Sequence, residues 1–286
     1  MKLYTINTGY FKLDGGAMFG VVPKTIWNKL NPADENNLCT WAMRCLLVKD
    51  GKRLILIDTG CGYKQGHNFF KYYYLHGEDS LERSLSQHGF STDDVTDVIL
   101  THLHFDHAGG ALKYNEDKSK VELTFKNATY WSHKGHWFWA SYPNAREGAS
   151  FLKENFKPIE ETGQLRFISK DLDFGNKNFS FMVVNGHTEG MIIPKIKYDG
   201  KTIVYLADLI PSVGHIPLAY VMGYDVRPLD SMKEKDAFLK EALENEYILY
   251  FEHDPVNECG TVKQTEKGIR IDKTFTLEAF MKAKYA

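Results

Sequence analysis

The segment His102-Leu-His-Phe-Asp-His107 places four side chains that can bind a metal within six positions. It follows Val95–Thr101, an apolar, β-branched run that predicts a strand, and it precedes Ala108-Gly-Gly110, which predicts a tight turn. The segment is therefore predicted to be a loop at the end of a buried strand. Imidazole and carboxylate groups suit Zn, Fe, Mn or Co. A lone histidine would indicate only a polar surface loop, but four ligands this close together indicate two metal ions.

Four more polar residues each stand at the end of an apolar run that predicts a strand. They are Asp58, His187, Asp208 and His253. Polar residues that follow buried strands lie where loops can converge, so these four are candidate members of the same site. Taken singly, Asp58 or Asp208 is equally typical of an Asx turn or a helix cap.

Composition limits the class of protein and its partners. The 286 residues are 43% hydrophobic, without a linker or repeat, which predicts one domain over residues 1–286 with a sizeable core. The 35 basic and 37 acidic residues give a net charge of −2, so neither a nucleic acid nor a membrane partner is predicted.

The cysteines and the N-terminus indicate a reducing compartment. Cys39, Cys45, Cys61 and Cys259 form no CxxC pair, and the first residues contain no apolar signal segment. Because no stretch of the sequence reaches the length of a membrane span, a cytoplasmic location is predicted.

Strand and helix patterns alternate and predict an α/β fold. Strands are predicted at Leu3–Thr8, Ala42–Val48, Leu54–Asp58, Val95–Thr101, Ala128–Trp131, Phe179–Val184, Ile192–Lys197, Thr202–Ala207 and Tyr247–Phe251, and helices at Ser80–His88, Ser231–Asn245 and Lys273–Lys284. Two stretches, Phe11–Asn37 and Lys64–Glu78, are predicted to be irregular, and they are candidate pocket walls or simply core packing. The aromatic run His136–Trp139 has the same two interpretations. Phe11–Asn37 is also a candidate homodimer interface.

These motifs, in this order, resemble those of the metallo-β-lactamase superfamily of hydrolases. The resemblance implies an α/β fold of the αββα type, a sandwich of two mixed β-sheets flanked by helices. It also implies two divalent metal ions, with zinc expected and Fe, Mn or Co as alternatives. The implied ligands are His102, His104 and His187 for the first ion, Asp106, His107 and His253 for the second, and Asp208 as a bridge. Asp58 would orient a ligand histidine or support the loop.

Three further segments resemble the branch that contains acyl-homoserine lactonases and organophosphate hydrolases. They are Leu13–Pro23, Asp208–Pro211 and His215–Leu218. The candidate substrate-pocket residues are Met18, Phe19, Phe69, His215, Tyr220 and Tyr224. Some lactonases carry a tyrosine three residues after the bridging aspartate, where this chain has Pro211. His215, Tyr220 and Tyr224 are the candidates to replace it.

The resemblance implies hydrolysis by a hydroxide that both metal ions hold, with a lactone or other ester as substrate. Asp106 or Asp208 would carry the proton to the leaving group. Phosphotriester hydrolysis and a glyoxalase-type thioesterase activity are the enzymatic alternatives, because the same ligands serve all three. A ribonuclease is disfavoured by the charge balance. The alternative from another class is a non-catalytic metal-binding signalling module of the same fold.

Overall fold

The computed structural model describes residues 1–283, which form two compact units. The first unit comprises Met1–Gly9, Met43–Asn176 and Gly190–Ile192. The second unit comprises Tyr10–Ala42, Lys177–Glu189 and the chain from Ile193 onward. The prediction of one domain over residues 1–286 stays a prediction.

The elements are numbered in chain order. The strands are β1 (Lys2–Asp14), β2 (Leu38–Asp50), β3 (Arg53–Ile57), β4 (Asp97–Ile99), β5 (Leu112–Tyr114), β6 (Val121–Leu123), β7 (Thr129–Ser132), β8 (Leu165–Phe167), β9 (Phe179–Val184), β10 (Met191–Tyr198), β11 (Lys201–Tyr205), β12 (Ile248–Tyr250), β13 (Cys259–Thr265) and β14 (Gly268–Phe275). The α-helices are α1 (Gly15–Phe19), α2 (Lys24–Trp27), α3 (His67–Phe70), α4 (Leu81–Gln87), α5 (Phe105–Ala108), α6 (Lys134–Ser141), α7 (Lys157–Glu161), α8 (Pro228–Glu244) and α9 (Leu277–Lys282).

The first mixed sheet has the strand order β1-β2-β3-β4-β7-β8. β2 and β3 are antiparallel, whereas β3, β4, β7 and β8 run parallel. Buried aliphatic side chains of these strands, such as Leu56 and Val98, share one core cluster with Leu85 of α4 and Trp137 of α6. β3 and β4 are short and almost entirely buried, as is typical of strands in a sheet that is covered on both faces.

The second mixed sheet has the strand order β14-β13-β12-β11-β10-β9. β11 and β12 are parallel, with Tyr205 opposite Tyr250, and β10 pairs with β11 in the antiparallel sense. Helix α8 buries Phe238, Leu239 and Ala242. The predicted α/β class with two mixed sheets is therefore confirmed.

All nine predicted strands are present, but two predictions along the chain are wrong in part. Lys273–Phe275 is not helical, because Lys273 pairs with Thr261 as part of β14. The last helix begins only after Thr276, whose side chain accepts from the Ala279 N–H, and Lys284 lies outside the described residues. The Phe11–Asn37 stretch, predicted to be irregular, begins with the end of β1 and contains α1 and α2.

Sequence patterns missed five strands, namely β5, β6, β8, β13 and β14. β5, β6 and β8 have only three residues each, which is too short for an alternating pattern. Among residues 1–283, no helix combines the length and the apolar character needed to cross a bilayer. The predicted cytoplasmic location and dimer interface stay predictions.

An ion pair between half-buried Arg53 and buried Asp97 links neighbouring strands of the first sheet. The Asp97 carboxylate, 5% exposed, accepts from Arg53 Nε at 2.9 Å and from Trp131 Nε1 at 2.9 Å. Asp97 lies on β4 between Arg53 on β3 and Trp131 on β7, so the carboxylate links three neighbouring strands.

We expect Asp97→Ala to lower the free energy of unfolding by about 2 kcal/mol, because the half-buried donors of Arg53 and Trp131 lose a buried acceptor. Urea denaturation measures this loss. The matched control is Asp236→Ala, which removes the exposed helical pair with Lys240 and should cost less than about 1 kcal/mol. Equal losses in the two variants would contradict the prediction.

Candidate metal centre

In the first unit, two parallel strands end at the same edge and bring their following residues together. Ile57 of β3 lies opposite Ile99 of β4, so Asp58 and Thr101 emerge side by side. The Asp58 carboxylate accepts from Thr101 N at 2.8 Å and from Thr101 Oγ1 at 2.6 Å. Asp58 itself has a φ of +58°, a left-handed conformation that aspartate tolerates better than most residues.

The ring nitrogens of the three histidines in the His102–His107 segment are held in defined orientations. His107 Nδ1 lies 3.1 Å from Asp58 Oδ2, and His102 Nδ1 lies 3.2 Å from Thr101 Oγ1. Because the Thr101 hydroxyl donates to Asp58, its oxygen accepts from His102. Asp58 therefore orients His107 directly and His102 through Thr101, which makes Nε2 the candidate metal-binding atom of each ring.

His104 has the opposite orientation. Its Nδ1 lies 3.1 Å from His102 Nε2, and its Nε2 lies 3.6 Å from Glu147 Oε1. All three rings are buried. The carboxylate of Asp106, also in this segment, has its Oδ2 3.7 Å from His107 Nε2.

Hydrogen bonds near both ends of the His102–His107 segment hold its backbone in place. His136 Nε2 accepts from the Leu103 N–H at 2.8 Å, and Thr59 donates from its N and its Oγ1 to the His107 carbonyl at 2.8 Å each. A Cβ atom at Gly109 would lie 1.9 Å from the Cys61 carbonyl oxygen, so only glycine permits this close approach. The side chains of the segment are thus presented by a rigid backbone.

In the second unit, Asp208 and His253 follow another pair of parallel strands, β11 and β12. Asp208 Oδ1 lies 3.3 Å from His253 Nε2, and its Oδ2 lies 3.0 Å from His187 Nε2. The two oxygens of one carboxylate therefore face two different imidazoles. The preceding Ala207 has a φ of +43°, a strained conformation for alanine that marks a constrained turn.

The outward-facing nitrogens of His187 and His253 also have acceptors. His187 Nδ1 lies 3.0 Å from Asp225 Oδ1, and His253 Nδ1 lies 2.8 Å from the Ala42 carbonyl oxygen. Burial opposes a charge on His187, but the carboxylates of Asp208 and Asp225 outweigh it and raise the pKa of His187 to about 10. Metal binding through this ring must therefore displace a proton.

The donor groups within each unit have the chemistry of a site for borderline divalent cations. All are imidazole nitrogens or carboxylate oxygens. Four of the five imidazoles have an acceptor within hydrogen-bond distance on the outward-facing nitrogen, and His104 Nε2 lies 3.6 Å from a Glu147 oxygen. Outer acceptors of this kind fix the tautomer of a metal-binding histidine. The residues of each unit have the donor groups that the predicted ligand set requires. That all seven residues form a single centre stays a prediction.

The predicted pocket residues lie in different surroundings. In the second unit, Phe19 stacks on His215 with ring centroids 4.4 Å apart, and both side chains are buried. In the first unit, Phe69 packs edge-on against Phe105, 5.1 Å away. Tyr220 is half-buried and Tyr224 is 38% exposed.

His215 is fixed by two hydrogen bonds. Its Nε2 lies 2.9 Å from the Met18 carbonyl oxygen, and its Nδ1 lies 2.8 Å from Ser212 Oγ. The buried ammonium of Lys235 donates to the carbonyls of His215 at 2.9 Å and Tyr220 at 2.8 Å. Burial lowers the pKa of His215 to about 3, so the ring is neutral. These contacts make His215 a packed part of the turn and a poor candidate to replace the tyrosine missing at Pro211.

Sequence patterns missed several residues that support the ligand candidates. Asp225 and Glu147 are two of 37 acidic residues, and neither stands at the end of a predicted strand. Only tertiary structure brings them to His187 and His104. His136 did carry a signal, since it begins the aromatic run that the sequence singled out.

The neutral His215 predicts a specific pH dependence of stability. An unfolded histidine titrates near pH 6.5 and folded His215 near pH 3, so the unfolded chain binds the extra proton. The stability that His215 contributes is complete above pH 6.5 and is lost as the pH falls toward 3, by about 1.4 kcal/mol per pH unit. Urea denaturation between pH 8 and pH 4 measures the slope.

We expect His215→Phe to be less stable at pH 8 but to lose stability less steeply on acidification. The control His88→Phe replaces an exposed histidine and should keep the wild-type slope. A wild-type slope in His215→Phe would show that the buried ring does not resist protonation.

Known proteins resemble this chain in sequence and in structure. The family model of the metallo-beta-lactamase superfamily matches residues 44–253. An N-acyl homoserine lactonase of Bacillus cereus is 31% identical over 139 residues, which are 45% of this chain and 50% of that protein. The match thus spans about half the length of this curated relative.

Two solved structures share the fold over nearly the whole chain. A probable metal-dependent hydrolase from Staphylococcus aureus superimposes with a TM-score of 0.87 at 27% identity and covers 97% of both chains. AidC, a dizinc quorum-quenching lactonase, superimposes with a TM-score of 0.76 at 22% identity and covers 96% of this chain and 95% of its own. The fold predicted from the motifs is confirmed. Because the family model spans more than half of the sequence, this chain belongs to the metallo-beta-lactamase superfamily.

Proposed function

We propose that this chain is a hydrolase that uses two divalent metal ions to open a lactone or cleave another ester. The observation that carries the proposal is the arrangement around Asp208, whose two oxygens face His187 and His253 separately. A carboxylate in this arrangement is suited to bridge two cations. The substrate class rests on the curated relatives, which are named N-acyl homoserine lactonases.

The proposed ligand assignment follows the order of the family motifs. His102, His104 and His187 would hold the first ion, Asp106, His107 and His253 the second, and Asp208 both. Within the first unit, the Nδ1 atom of His104 and the Nε2 atom of His102 lie 3.1 Å apart, as two ligands of one ion would. Zinc is the proposed metal, because imidazole and carboxylate groups are common zinc ligands. Fe, Mn and Co are the alternatives, because the same nitrogen and oxygen donors also accept these ions.

Two divalent ions held by these residues would lower the pKa of a shared water from ~15.7 toward ~7 and polarise a carbonyl group. The chain's own residues supply the proton transfers. The Asp208 carboxylate, 8% exposed, and the Asp106 carboxylate, also 8% exposed, are the proposed groups that accept a proton and pass it to the leaving alkoxide.

The segment after Asp208 bears on the choice of substrate. Pro211 has no hydroxyl group, and its carbonyl accepts from the His253 N–H at 3.1 Å. Since both His215 nitrogens are engaged, Tyr220 and Tyr224 stay as candidates to polarise the substrate. Phosphotriesters and glutathione thioesters need the same metal chemistry, so they are the alternative substrates to be tested.

We expect purified protein supplemented with zinc to contain about two ions per chain and to hydrolyse a homoserine lactone, with loss of activity after chelation and recovery with metal. The same preparation is assayed on a paraoxon-like triester and a glutathione thioester. Rapid turnover of either of these without lactone hydrolysis would reject the proposed substrate. Less than about one ion per chain would reject the dinuclear site, and metal binding without any turnover would favour the non-catalytic module.

We expect Asp208→Ala and His104→Ala each to reduce hydrolysis at least ~100-fold, because each removes a proposed metal ligand. The matched controls are Asp236→Ala and His88→Ala, which change exposed residues of the same types. The kcat/KM of each variant is measured together with its metal content. Retained activity in Asp208→Ala would show that the hydrolysis does not depend on this centre.

A further inference from the structure

We propose that Glu147 is a positioning residue for His104, whose ring it holds with Nε2–H toward the carboxylate, so that Nδ1 would be the atom that binds the first metal ion. The inference rests on the proposed function, because it specifies how one of the proposed ligands binds. It assigns a role to a residue that no sequence motif marks.

The orientation of His104 requires a different outer partner from that of the other two rings. His107 and His102 have their Nδ1 atoms on the side of Asp58 and Thr101, and their Nε2 atoms are the candidate donors. In His104, Nδ1 is the atom 3.1 Å from His102 Nε2. A neutral imidazole that binds a metal through Nδ1 carries its proton on Nε2, so an acceptor is needed there.

The Glu147 carboxylate is the group placed to become that acceptor. Its Oε1 lies 3.6 Å from His104 Nε2, and the two side chains are 3% and 9% exposed. The distance is that of an ion-pair contact rather than a hydrogen bond. A movement of about 0.7 Å by either side chain would bring the two atoms to hydrogen-bond distance.

Glu147 is itself held in place by residues that share no role in binding the metal. Its Oε2 accepts from Trp139 Nε1 at 2.8 Å and from Asn144 Nδ2 at 2.6 Å. Two donors on Oε2 stabilise a buried carboxylate that would otherwise be costly, and they leave Oε1 directed at His104.

Helix α6 thus supports the metal-binding segment in two ways. Its His136 accepts from the Leu103 N–H and fixes the backbone, and its Trp139 fixes the carboxylate that faces His104. This explains the aromatic run His136–Trp139, which sequence patterns left open between pocket wall and core.

The first test is the zinc affinity of Glu147→Gln, measured by competition with a chromophoric chelator. Loss of an outer partner typically weakens metal binding 10- to 100-fold, and we expect a loss of about that size in Glu147→Gln. The matched control is Glu160→Gln. Glu160 also accepts from a tryptophan of α6, Trp137, but it pairs with Lys157 instead of facing a histidine. The zinc affinity of this control should change less than about twofold.

The second test determines which nitrogen of the His104 ring carries the proton. In the zinc-loaded wild type, ¹H–¹⁵N spectra of the imidazoles should show His104 with its proton on Nε2, opposite to His107. In Glu147→Gln, we expect that proton to exchange faster with solvent while the His107 signal is unchanged. Thermal unfolding of the metal-free variants separates this effect from a folding defect. Trp139→Phe, which keeps the carboxylate, should weaken zinc binding in the same direction but by less.

Unchanged affinity in both Glu147→Gln and Trp139→Phe, or a His104 proton on Nδ1, would overturn the inference while the proposed function stands. An equal loss in Glu160→Gln would also overturn it, since the effect would then belong to α6 in general. A wild-type protein that binds no zinc would overturn both the inference and the proposed function.

Discussion

In the first unit, the arrangement of the His102–His107 segment depends on the hydrogen bonds of the buried Asp58 carboxylate. An unpaired charge at a position that is 0% exposed would be very unfavourable, so the carboxylate requires donors. Thr101 supplies two, and His107 supplies a third. The same hydrogen bonds fix which nitrogen of the His107 and His102 rings faces away from Asp58 and Thr101. The same interaction therefore serves stability and metal chemistry.

The second unit orients its candidate ligand histidines with different residues. Its candidate ligands also follow neighbouring parallel strands, and the outer nitrogens of His187 and His253 face Asp225 and the Ala42 carbonyl. The strained φ of Ala207 next to Asp208 shows that the turn is held by its surroundings rather than by local preference. In both units, outer acceptors decide how the rings are presented.

The turn after Asp208 illustrates how packing limits a prediction based on residue type. His215 is a plausible catalytic group by sequence, yet its two nitrogens are engaged and its ring stacks on Phe19. Burial leaves it neutral and inaccessible. Tyr220 and Tyr224 are more exposed than His215, so they stay the candidates to polarise the substrate.

The sequence by itself determined the α/β class, the nine strands with clear apolar patterns and the set of candidate ligands, because those signals are local: an apolar run followed by a polar residue. Tertiary structure decided what depends on residues distant in sequence. It placed Asp225 beside His187 and Glu147 beside His104, and it turned Lys273–Phe275 into a strand through pairing with β13. The outer partners Asp225 and Glu147 lack a sequence signature because an acidic residue outside a strand end resembles an ordinary surface residue. Their effect arises only when folding removes water from around both partners.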